Sequence, residues 1–166
     1  VKVGGKKSTA AAGLNISNMG SKISYSNKAD RDFIPTNMKL GGSLMMELDD
    51  YNTFSFIADI NKLLVPTPPI YQTDTNGAVI YGPNGKPLIA SGEDPDRGVT
   101  EAIFTSFSDA PGGFNEELRE FNYSVGIEYW YDKQFAARLG YFYEDATKGN
   151  RKFFTIGAGL KYNVFG

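Results

Sequence analysis

The sequence predicts an all-β fold: an antiparallel transmembrane β-barrel, present in part, with one long extracellular loop containing a short helix. Three observations predict it. Apolar and polar residues alternate with a period of two, the alternating stretches are long, and the connections between them alternate between short and long. Successive side chains on a strand point to opposite faces, so a period of two gives one apolar and one polar face. The stretches run to roughly 10–13 residues, where an ordinary strand has about 5–6 and a tilted bilayer-crossing strand about 9–11.

The clearest pattern lies in 119–165. Phe121, Tyr123, Val125, Ile127, Tyr129 and Tyr131 occupy one face, opposite Glu120, Asn122, Ser124, Gly126, Glu128 and Trp130. A tight link, Asp132-Lys133-Gln134, leads to Phe135, Ala137, Leu139, Tyr141 and Tyr143. Asp145–Arg151 leads to Phe154, Ile156, Ala158, Leu160, Tyr162 and Val164. Upstream, Ala10–Ser17 alternates, Ile23–Ser26 is expected to begin a return strand, and Met38–Leu48 and Thr53–Asn61 form a pair. Val1–Thr9 is basic and Gly-rich and reads as the tail of a strand or loop.

Over six strands the apolar face has about 31 positions, all apolar but Gly42; the other has about 30, of which roughly six are apolar. A soluble sandwich also alternates, with its apolar face inward. Three features favour lipid. Short turns (Asn18–Ser21, Asp49–Asn52, Asp132–Gln134) interleave with longer links (Asn27–Thr36, Leu63–Leu118, Asp145–Arg151), as in membrane barrels. Aromatics gather at strand ends, Tyr129, Trp130, Tyr131 and Phe135 at one and Phe121, Tyr123, Tyr141, Tyr143 and Phe154 at the other, as two interfacial girdles. The polar face carries mid-strand charges: with Tyr131 opposite Phe135, Glu128 falls opposite Arg138 as a lumen ion pair, and Asp59 and Lys161 are similarly placed. Seven countable strands is an odd number, and an open sheet edge in hydrocarbon is costly. The chain is therefore expected to be part of a larger barrel.

The chain has 166 residues, no Cys, no His and a formal charge of −2. One domain, 1–166, is expected, with 63–118 as a loop insertion within it. A near-neutral charge argues against a nucleic-acid partner. Without His there is no Ser–His hydrolysis. Asp49-Asp50, Glu116-Glu117 and Glu144-Asp145 are carboxylate pairs at turns or loop edges, where solvated acids are ordinary. Catalysis is not expected, and no cofactor is called for. Glu93-Asp94-Pro95-Asp96 reads as an acidic loop rather than a calcium site. Gly82-Pro83-Asn84-Gly85 reads as a hairpin tip between Ala78–Tyr81 and Leu88–Ala90.

The residues Glu120–Tyr131, Phe135–Glu144 and Thr155–Tyr162 resemble the PorV family of FadL-like outer-membrane proteins of the type IX secretion system. Ala12-Gly13-Leu14-Asn15-Ile16-Ser17-Asn18-Met19-Gly20 and Pro35-Thr36-Asn37-Met38-Lys39-Leu40-Gly41 are similar to the wider FadL-like family. The resemblance implies a barrel of about 14 strands, of which this chain is about half, in the bacterial outer membrane and in contact with its lipid. It implies binding of the C-terminal signal domain of secreted cargo, docking on the giant outer-membrane translocon barrel, and hand-over to a surface attachment complex. The alternative is a FadL-type channel for hydrophobic small molecules. The family's terminal strands have no counterpart in this sequence.

Within the insertion, Pro66, Pro68, Pro69, Ile70 and Tyr71 form an extended, semi-rigid segment suited to strand addition or groove docking. A short helix is expected over Val99–Ser108. Ile103, Phe104, Phe107 and Phe114 either form an interface or pack the loop onto a barrel rim.

Overall fold

A computed structural model describes residues 2–24 and 31–162. Seven strands form one sheet: β1 (Lys2–Val3), β2 (Lys6–Ser17), β3 (Asn37–Glu47), β4 (Asn52–Leu63), β7 (Asn122–Tyr131), β8 (Phe135–Tyr143) and β9 (Lys152–Leu160), neighbours in that order. A second, two-stranded sheet pairs β5 (Ile70–Tyr71) with β6 (Ile89–Ser91). Two helices, α1 (Val99–Thr105) and α2 (Phe114–Arg119), lie between β6 and β7. Among the described residues no helix is long and apolar enough to cross a membrane.

The all-β expectation is met, with corrections to its elements. Gly4 and Gly5 adopt positive φ (57° and 78°) and turn β1 into β2, so the basic start is a hairpin. Glycine reaches these angles without steric cost. Ile23 makes only an isolated bridge to Asp32, and Tyr25–Ser26 lie outside the described residues. Among the described residues, no strand forms between β2 and β3 beyond that bridge. Short links (Gly4–Gly5, 48–51, 132–134) still alternate with long ones (18–36, 64–121, 144–151). α1 is shorter than expected; α2 ends at Arg119 and β7 begins at Asn122, so the expected strand start at Arg119–Phe121 is the helix end and a turn. β9 ends at Leu160; Asn163–Phe165 lie outside the described residues.

The chain divides into two compact units. The first comprises Val1–Asn15, Lys39–Asn61 and Phe121–Gly166. Its β7–β8 hairpin closes through Asp132 and Lys133, both at positive φ (51° and 55°), with the Gln134 N–H donating to Tyr131 O at 3.1 Å. That three-residue link, Asp132-Lys133-Gln134, sets Tyr131 against Phe135, and the alternation follows to Tyr123 against Tyr143. Gly126 faces Gly140, and Glu128 faces Arg138.

This sheet is inverted relative to a soluble one. On its apolar face Phe154, Ile156 and Leu160 are 81%, 85% and 67% exposed, and Leu14, Leu40, Phe56, Val125, Ile127 and Leu139 are exposed too. The single apolar residue buried in this unit, among those described, is Ala136, on the polar face. A dozen half-bare side chains at about 1 kcal/mol each is on the order of 10 kcal/mol, comparable with the whole net stability of a domain. This face needs an apolar neighbour. Aromatics gather at the end away from the Tyr131–Phe135 turn: Tyr141 meets Phe154 at 4.6 Å between ring centroids, and Tyr123 meets Tyr143 at 6.4 Å.

The polar face carries cross-strand ion pairs. Lys7 meets Glu47 at 3.3 Å and Lys39 meets Asp59 at 3.0 Å. Arg138 Nε donates to Glu128, whose other oxygen accepts the Trp130 indole N–H at 2.6 Å. Beyond β8, Arg151 forks onto the buried Glu144 through two hydrogen bonds of 2.8 Å. The side-chain hydrogen bonds from Arg151 hold the Glu144 carboxyl below its ordinary 4.5. A depressed carboxyl contributes stability above its unfolded pKa and loses it as pH falls through the folded value. The turn is thus expected to loosen below about pH 4. Gly149 sits at φ 143°, where a Cβ would lie 2.2 Å from Glu144 Oε2. Gly149→Ala is expected to cost about 1–3 kcal/mol and to free the 144–151 amides, read by hydrogen exchange.

Candidate functional site

The second unit comprises Ile16–Met38 and Lys62–Glu120. Leu64 N–H donates to Thr36 O at 2.8 Å, and the Thr36 hydroxyl donates to Asn18 O at 2.9 Å. These bonds tie the start of the insertion to the segment 18–36.

Buried charge lies inside the insertion beside the buried apolar residues Leu64, Ala102 and Ala110. Lys62 falls on the apolar parity of β4, after Phe54, Phe56, Ala58 and Ile60, yet it is 0% exposed. Its Nζ donates to Glu117 Oε2 at 3.0 Å and to Glu120 Oε2 at 2.6 Å. The second oxygens are also engaged. Glu117 Oε1 accepts Ala110 N–H at 2.7 Å, and Glu120 Oε1 accepts the Thr67 hydroxyl at 2.7 Å. Thr67 N–H donates to buried Asp109 at 3.3 Å, and Arg97 lies 3.6 Å from the same carboxylate. Burial pushes the Asp109 carboxyl above its ordinary value. Arg97 also donates to Asp94 O at 2.9 Å and to the Thr105 hydroxyl, linking the acidic loop to α1.

Ligand oxygens of Asp109, Glu117 and Glu120 lie within 4.8 Å of one another, a spacing that can hold a cation. The Lys62 ammonium already donates to two of the three, so the cluster has its cation built in. This network escapes sequence reading because its partners lie 55 and 58 residues apart. One signal was present: a lysine on an apolar strand face marks where that face stops being bare.

The expected docking residues differ in exposure. Pro68 and Ile70 are exposed, Pro66 and Tyr71 are half-buried, and Pro69 is buried. Ala102 is the buried residue of α1, and Ile103 beside it is half-buried. Phe104 and Phe114 are 74% and 75% exposed. The Phe107 ring stands with its centroid 5.8 Å from Lys62 Nζ and helps to cover it. The Gly82–Lys86 tip closes as a hairpin, with Gly82 N–H donating to Lys86 O at 2.8 Å and Leu88 N–H to Ile80 O at 2.9 Å. Glu128 and Arg138 are paired on the polar face of the other unit.

No curated protein matches the chain. Residues 6–70, covering β2, β3, β4 and the start of the insertion as far as Ile70, match the family model described as type IX secretion system protein PorV, and that stretch holds Ala12–Gly20 and Pro35–Gly41.

Proposed function

We propose that this chain forms part of an outer-membrane barrel that carries protein cargo in type IX secretion, without catalysis, and that its insertion is where a protein partner docks. A PorV match implies a role in that system. The observation that carries the membrane reading is the apolar sheet face turned outward, opposite a polar face of paired charges. Cross-strand faces of this kind suit lipid outside and a polar lumen inside. The partners are the C-terminal signal domain of secreted cargo, the giant translocon barrel and the surface attachment complex. Recognition and hand-over need affinity only, and the insertion supplies exposed aromatics on a frame of paired charges. The FadL-type channel is the less favoured reading, because ion pairs on the polar face are a poor lining for hydrophobic solutes.

The test is a detergent-solubilised pull-down of the native protein, with mass spectrometry of what co-purifies. Recovery of a very large outer-membrane barrel, or of proteins sharing a C-terminal β-domain, is expected, with their loss on deleting Val65–Phe114. Purification alone with bound fatty acid would favour the channel. Appearance in the soluble fraction would overturn the membrane reading.

A further inference from the structure

The insertion is charged out of proportion to the rest of the chain. Residues 62–120 hold nine acidic and four basic side chains, a formal −5; the whole chain is −2, which leaves +3 elsewhere. The surplus follows from how the cations are shared. Lys62 serves Glu117 and Glu120. Lys86 lies 3.9 Å from Asp94 and 3.2 Å from Asp96. Arg97 lies 3.9 Å from Glu93 and 3.6 Å from Asp109. Each cation thus stands between two carboxylates and leaves one negative charge over. Glu93, Asp94 and Asp96 are well exposed, as are Asp74 and Glu101.

The insertion also leaves apolar side chains bare, Phe104, Phe107, Phe114 and Leu118 on or beside its helices among them. Phe104 follows Glu101 by three positions, on one side of α1. Phe114 and Leu118, four apart on α2, share a face and are both exposed. Exposed aromatics on a segment with surplus negative charge have the composition of a protein-docking region: rings give anchoring contacts, and charges steer the encounter and select the partner.

We propose that the insertion receives a folded protein domain that presents a basic face around apolar sockets for Phe104 and Phe114. This rests on the reading of the insertion as the docking site, and it adds the chemistry of the partner's surface. Excess negative charge on the receiving side repels an acidic domain and draws in a basic one.

The experiment uses the full protein in detergent and, as probe, a purified C-terminal signal domain of a type IX-secreted protein. Binding rates are measured at low and high sodium chloride. Association is expected to slow about tenfold or more as salt rises. The neutral triple variant Glu93→Gln, Asp94→Asn, Asp96→Asn should slow it likewise and flatten its salt dependence. Phe104→Ala with Phe114→Ala should speed dissociation instead. Binding by the unaltered protein that ignores both salt and the triple variant would overturn the basic-partner inference and leave the docking reading standing. Absence of any binding at low salt would overturn both.

Discussion

Replacing Lys62 with Met is expected to loosen the whole insertion, at a cost of about 3–5 kcal/mol. The size follows from what is left behind. Glu117 is 3% exposed, and Lys62 reaches it and Glu120 from a fully buried position. Without the ammonium, two carboxylates face each other in a poorly solvated pocket, and their remaining bonds, to Ala110 N–H and the Thr67 hydroxyl, do not neutralise them. The readout is hydrogen exchange of the detergent-solubilised protein. Amides of Thr67, Ala110 and α2 should exchange faster, while β7–β9 keep their protection. Removing the whole charge set is expected to do less harm than removing its centre. Lys62→Met with Glu117→Gln and Glu120→Gln should regain much of the loss, because uncharged groups are cheaper to bury than unpaired ions. Exchange in 62–120 that is unchanged by Lys62→Met would mean that water, not the lysine, compensates the two glutamates.

The faces were legible in the sequence and the contacts across long separations were not. Parity is a local property: Val125, Ile127 and Tyr129 share a face because of backbone geometry alone. The Asp132-Lys133-Gln134 link extended that to pairing, so Glu128 opposite Arg138 followed by counting. Strand ends were harder. Alternation runs on to Val164, yet β9 stops at Leu160, because periodicity reports which way side chains point and not whether a neighbour pairs. α2 was unreadable for a related reason, since six residues are too few to show a helical period. In the insertion, the apolar positions read as either an interface or packing onto a rim; the fold leaves Phe104 and Phe114 exposed and buries Lys62, Arg97 and Asp109. Nothing local marks a lysine as buried. The mark lay in the breach of β4's own pattern, where Lys62 takes the place of the next apolar residue after Ile60.

Leu139→Arg is expected to cost about 2–4 kcal/mol in folding into lipid bilayers, against nearly nothing for Ser124→Arg. Leu139 stands midway along β8, between Ile127 and Ile156 on its neighbours, on the exposed apolar face. Ser124 lies on the other face, opposite Asp59 in the register of β4 and β7, where a new guanidinium finds a carboxylate. Urea titration of vesicle-inserted protein gives the difference directly. A soluble sandwich also penalises Leu139→Arg, so a second reading of the same positions is needed. The chain's one tryptophan, Trp130, is on the polar face, and replacing it with Phe leaves a silent background. In that background Leu139→Trp should be quenched by lipids brominated along the acyl chain, and Ser124→Trp should not. Equal quenching at both positions, or none at either, would mean that lipid does not sort the two faces. The exposed apolar side chains would then require a protein cover, and the alternation would describe a sandwich half rather than a barrel wall.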